Sequence, residues 1–65
     1  MYYTIRIRLK TKEARVYTAV NHFGFGFSPE ANCEYLLFTD LIYGLDNSYK
    51  YYMKDVEELL IKPQC

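Results

Sequence analysis

Tryptophan is absent, histidine occurs once, and cysteine and proline occur twice each. Each scarcity removes a class of function. His22 is the sole imidazole, so general-base catalysis would need Ser28 or Cys33 held within its hydrogen-bond reach, which a loop seldom enforces. Cys33 and Cys65 form no CxxC pair, and no histidine stands at ligand spacing from them, which argues against a zinc site and leaves two reduced thiols suited to the cytoplasm. No apolar run approaches the roughly 20 residues of a membrane helix, and Arg6 and Arg8 interrupt the only candidate near the start. The expectation is a cytoplasmic, non-membrane protein that is not an enzyme and holds no cofactor or metal.

The few glycines and prolines, with 51% hydrophobic and 25% charged residues, also exclude disorder. Sixty-five residues make one small domain, spanning 1–65, too short to enclose a large pocket. Net charge is zero but unevenly spread. Residues 1–15 set Arg6, Arg8, Lys10, Lys12 and Arg15 against Glu13, a balance of +4, and the remainder sets three lysines against seven acids, a balance of −4. Such asymmetry predicts a basic surface attractive to nucleic acid or to an acidic protein. The many residues with AT-rich codons (Phe, Tyr, Met, Ile, Asn, Lys) fit an AT-rich coding sequence, as in a phage or virus.

Alternation dominates the start of the chain. In YYTIRIRLK, Tyr3, Ile5, Ile7 and Leu9 alternate with Thr4, Arg6, Arg8 and Lys10, the period of a strand with one dry and one wet face. TKE supplies a turn and ARVYTAV resumes the strand pattern, predicting a hairpin over about 2–20. CEYLLFTDLIY is apolar on both faces, which predicts a central strand buried twice. GLDN reads as a turn and SYKYYM as a fourth strand. In KDVEELLIKPQC, Asp55 and Glu58 suggest a capping box, and Val56, Leu59 and Leu60 share a helical stripe ended by Pro63. Two folds follow. The favoured one is mainly β, a five-stranded antiparallel sheet or partly open barrel with a helical turn at Asp55–Glu58 before a closing strand at Leu59–Lys62. The alternative is α+β, with four strands and a helix over about 51–61. The favoured order, with a long loop after the second strand, resembles the SH3-like barrel family in architecture.

The segment NHFGFGFSPEANC concentrates Phe23, Phe25 and Phe27 with Gly24 and Gly26. It is not a phosphate loop, since Pro29 removes a donor and Glu30 repels the anion. Gly24-Phe25-Gly26-Phe27 is similar to the KGFGF centre of RNA-recognition and cold-shock domains, a resemblance that implies rings stacking on bases. The flanks depart from it: Phe23 replaces a cation, Ser28 an aliphatic residue and Glu30 an aromatic one. Alternatively the three rings plug a barrel mouth, or they form a protein-contact loop.

Eight tyrosines exceed what so small a core can hide. The sequence therefore predicts a protein-binding module, a regulator or inhibitor of its partner, whose contact residues are Arg6, Arg8, Lys10, Tyr17, Phe25, Phe27, Tyr49, Tyr51 and Tyr52. The partner is another protein or a second copy of the chain. The alternative is a weak, sequence-tolerant binder of single-stranded nucleic acid that uses the basic hairpin and the neighbouring rings.

Overall fold

A computed structural model describes residues 2–64; Cys65, one of the two thiols, lies outside them. Five antiparallel strands form one sheet: β1 (Tyr3–Leu9), β2 (Ala14–Ser28), β3 (Cys33–Ile42), β4 (Leu45–Tyr52) and β5 (Val56–Pro63), in the spatial order β4-β3-β2-β1-β5. The sheet is not closed. Yet β4 and β5, at its opposite edges, are joined only by the 3-10 turn Met53–Asp55, and a link of three residues spans little more than ~10 Å. The sheet must therefore curl so that the end of β4 approaches the start of β5, and the mainly β, five-stranded antiparallel sheet is the expected one.

Alternation places the core. Ile5 and Ile7 are buried while Arg6 and Arg8 are exposed. Val20, Leu36 and Phe38 join them on the concave face, with half-buried Tyr3, Leu9, Tyr17, Tyr49, Tyr51, Met53, Val56, Leu59 and Ile61 packed around this nucleus. The turns carry the left-handed residues that hairpins require. Lys12 has φ 76°, its amide donates to the carbonyl of Leu9 at 2.8 Å, and the Leu9 amide donates to the Glu13 carbonyl at 2.8 Å. Tyr43 (φ 54°) and Gly44 (φ 75°) make a two-residue hairpin with both central residues at positive φ, as the type I′ turn demands.

Four expectations need correction. The phenylalanine segment is not a loop: β2 runs unbroken to Ser28, bent by irregularities beside Ala19 and Asn21, so that its first half pairs with β1 and its second with β3. The turn read as GLDN is Tyr43-Gly44, and Leu45, Asp46 and Asn47 belong to β4. The helical turn lies at Met53–Asp55 rather than Asp55–Glu58, β5 begins at Val56, and no helix occupies 51–61. The reason is a bulge at Glu57: Leu9 pairs with Val56 but Arg8 with Glu58. The inserted residue sets Val56 and Leu59 three apart on one face of a strand, which in sequence mimics a helical stripe. Finally, β3 is not buried twice. Leu36, Phe38 and Asp40 are buried, but Leu37 and Leu41 face outward and are exposed, because a lone sheet of this size has no second layer to cover its convex face.

Candidate partner-binding surface

The residues proposed as contacts do not share one face. Arg6 and Arg8 alternate with Ile5 and Ile7 and so point outward, whereas Tyr17 pairs directly with Ile5, Tyr49 with Phe38 and Tyr51 with Leu36, all facing the core. An aromatic cluster results. Phe38 stacks on Tyr49 (centroids 5.2 Å apart) and Tyr51 (6.0 Å), and Tyr17 meets Phe38 edge-on at 4.9 Å. Offset and edge-to-face contacts of this kind suit the ring quadrupoles. The expected sheet face carrying both tyrosine and arginine is thus corrected, because strand alternation puts the two sets on opposite sides. Only at the rim do they meet, where Arg15 Nη1 donates to Tyr51 Oη at 3.3 Å and the hydroxyls of Tyr17 and Tyr51 share a hydrogen bond.

The phenols respond to this setting. Burial, reinforced by the hydrogen bond with Tyr51 and opposed by Arg15, pushes Tyr17 up to about 12. Burial first, then the charge of Asp40, also raises Tyr49. Asp40 is 1% exposed and its Oδ1 has no hydrogen-bond partner. Both shifts favour the neutral phenol in the fold. An unfolded tyrosine loses its proton near pH 10, so above that pH the unfolded chain binds fewer protons than the folded one. Stability from Tyr17 is therefore fully present below pH 10 and falls as pH rises towards 12. Urea midpoints at pH 8 and at successive values above 10 should show the decline, and Tyr17→Phe should flatten it; an unchanged slope in that variant would refute the assignment.

The basic hairpin is partly neutralised by tertiary pairing. Glu58 on β5 meets Arg8 at 3.3 Å, Glu57 meets Lys12 at 2.8 Å, and Glu13 pairs with Arg15. Glu58 lies 50 residues from Arg8 in sequence but beside it in the sheet, and with Glu57 it offsets half of the +4 balance of residues 1–15 in space. These pairs are solvent-exposed and add little stability. Arg6 makes no ion pair among the described residues and lies between Val16 and Leu60 in a shallow groove of about 470 Å³. Lys10 sits at the turn, its amide bonded to the Asp55 carbonyl at 2.9 Å.

Of the proposed aromatic contacts, Phe25 and Phe27 stand most open. Register places Phe23 opposite Phe38 and Phe25 opposite Leu36, on the core-facing side of the sheet, yet the three rings extend past the core and are 39%, 54% and 58% exposed in chain order. They do not plug the barrel. Phe23 alone finds a ring partner, Tyr3, edge-on at 5.0 Å. On the opposite side Gly24 and Gly26 leave a dent beside Leu37, and the Tyr35 ring folds over Gly26. Tyr35 and Tyr52 flank Lys50, whose Nζ lies 4.3 Å and 5.3 Å from their centroids. Tyr52 thus joins a small convex cation-and-ring group, away from the phenylalanines.

No family model, curated protein or solved structure matches this chain. The surface must be judged on its own chemistry. Sequence reasoning missed one part of it, the β3–β4 tip, where Leu41, Ile42, Tyr43 and Leu45 are exposed, Tyr43 by 98%. The signal was present as an apolar run on both faces, but burial on both sides explains such a run equally well. Among the described residues no group of three or more His, Cys, Asp or Glu is placed to hold a metal, and no helix is long and apolar enough to cross a membrane.

Proposed function

We propose that the chain is a non-enzymatic protein-binding module whose principal contact is the phenylalanine half of β2, acting as a regulator or inhibitor of what it binds. One observation carries this reading: Phe23, Phe25 and Phe27 project in register from a paired strand while remaining 39–58% exposed. Large rings held on a rigid strand lose little conformational entropy on docking and are favoured as interface anchors. The nucleic-acid reading is weaker, since three of the five N-terminal cations already face carboxylates.

Affinity capture from lysate with the wild-type chain, a Phe25→Ala/Phe27→Ala variant and an Arg6→Glu/Arg8→Glu variant tests the proposal. The aromatic variant should bind a specific protein partner at least about tenfold more weakly, and the captured complex should persist from low to moderate salt. Equal capture by the aromatic variant would overturn the reading. Tight binding of a single-stranded oligonucleotide that collapses over the same salt range would replace it with the nucleic-acid alternative.

A further inference from the structure

The second half of β2 is a free edge. β1 pairs with β2 only as far as Tyr3 opposite Val20, whereas β3 pairs with it through Ser28. From residue 21 onward β2 therefore has a strand neighbour on one side only among the described residues. Exposed edges usually carry charges or proline that discourage pairing with another chain. The two outer strands follow this rule: β4 carries Asp46 and Lys50, and β5 carries Glu57, Glu58, Lys62 and Pro63. Residues 21–28 contain no Lys, Arg, Asp, Glu or Pro at all.

The unprotected segment is also a palindrome, Phe23-Gly24-Phe25-Gly26-Phe27. We propose that this edge pairs antiparallel with the same edge of a second copy, about a two-fold axis at Phe25. Phe25 then faces Phe25 of the other copy, Phe23 faces Phe27, and Gly24 faces Gly26, so every ring meets a ring and every glycine a glycine. An arbitrary partner strand satisfies no such match. A slip of one residue would set Phe25 and one neighbouring phenylalanine against glycines and the third against Ser28 or His22, and would turn the rings of the two copies to opposite faces, so the register is specified by composition. Direct aromatic pairs across antiparallel strands are favourable, and all three phenylalanines lie on one face, continuing the row that starts at Phe38 and Leu36. The two-fold makes the contact self-limiting, giving a closed dimer with one ten-stranded sheet rather than a fibre.

This inference rests on the reading of the phenylalanine strand as a contact surface and names its occupant. Sedimentation equilibrium from micromolar to millimolar protein should show the mass rising from 7.8 kDa towards twice that value. Phe25→Lys places like charges opposite each other at the axis and should weaken the dimer at least about tenfold. Phe23→Lys/Phe27→Glu sets lysine against glutamate at both outer pairs and should retain dimerisation, whereas Phe23→Lys/Phe27→Lys should abolish it. Far-UV circular dichroism verifies that each variant folds, as expected at exposed positions. A wild-type chain that stays monomeric throughout, or two double variants of equal mass, would overturn the proposal. Undiminished capture of the lysate partner by a Phe25→Lys chain that no longer dimerises would count against the docking reading alone, and a wild-type chain that stays monomeric yet loses that partner on Phe25→Ala/Phe27→Ala would count against the dimer alone.

Discussion

Replacing Phe38 with alanine is expected to remove a large part of the domain's stability, about 3–5 kcal/mol. Phe38 is 1% exposed and is the ring on which the concave cluster converges, stacked against Tyr49 and Tyr51 and met edge-on by Tyr17. Truncating a buried phenylalanine costs about 3–5 kcal/mol through lost transfer energy and the cavity left behind. A domain of this size holds only about 3–10 kcal/mol in total, from roughly 0.05–0.15 kcal/mol per residue. A single curled sheet cannot collapse a second layer into the void, so the cost should fall at the upper end. Phe25→Ala, at a residue 54% exposed, provides the matched control and should cost under about 1 kcal/mol in the monomer. Urea titration followed by circular dichroism distinguishes the two, and a Phe38→Ala chain within 1 kcal/mol or so of wild type would mean that the core is wrongly located.

Two glycines on the same face of β2 should answer oppositely to valine. A Cβ at Gly26 would lie 2.5 Å from the Tyr35 ring, while one at Gly24 meets nothing within 4 Å. Gly26→Val must therefore expel Tyr35, dismantling its contacts with Tyr52 and Lys50, at about 1–3 kcal/mol for an overpacked site. Gly24→Val should instead gain roughly 0.5–1 kcal/mol, because glycine loses the most backbone freedom on entering a strand and β-branched residues suit the pleat. Thermal melts at concentrations too low for association measure both. Equal effects at the two positions would show that Tyr35 does not cover Gly26.

The candidate surface was legible in the sequence only in part. Phe25 and Phe27 stand out because aromatic rings between glycines are conspicuous in any register, and they are exposed. A count of eight tyrosines puts Tyr17, Tyr49 and Tyr51 outside, since so small a core cannot enclose them all. Yet a phenol can bury its ring against Phe38 and still reach the rim with its hydroxyl, as Tyr51 does towards Arg15. Composition counts residues but does not divide a side chain into a dry body and a wet tip. The β5 region misled for a different reason, since a bulge and a helix both produce a three-residue spacing of apolar groups.

The sequence alone determined what depends on neighbours along the chain. The two-residue period of Tyr3–Leu9 dictated a strand with isoleucines inward and arginines outward, because successive side chains of extended backbone must point to opposite sides. Strand-like patterning separated by short turns favoured a small antiparallel sheet, with a C-terminal helix over about 51–61 left as the alternative. Only the tertiary structure decided what depends on residues distant in sequence. Bringing Glu57 and Glu58 beside Lys12 and Arg8 offsets half of the +4 balance of residues 1–15, and ending β1 opposite Val20 leaves the phenylalanine half of β2 with β3 as its one strand neighbour among the described residues. Charge and edge exposure are properties of the assembled sheet, set by which strands lie side by side.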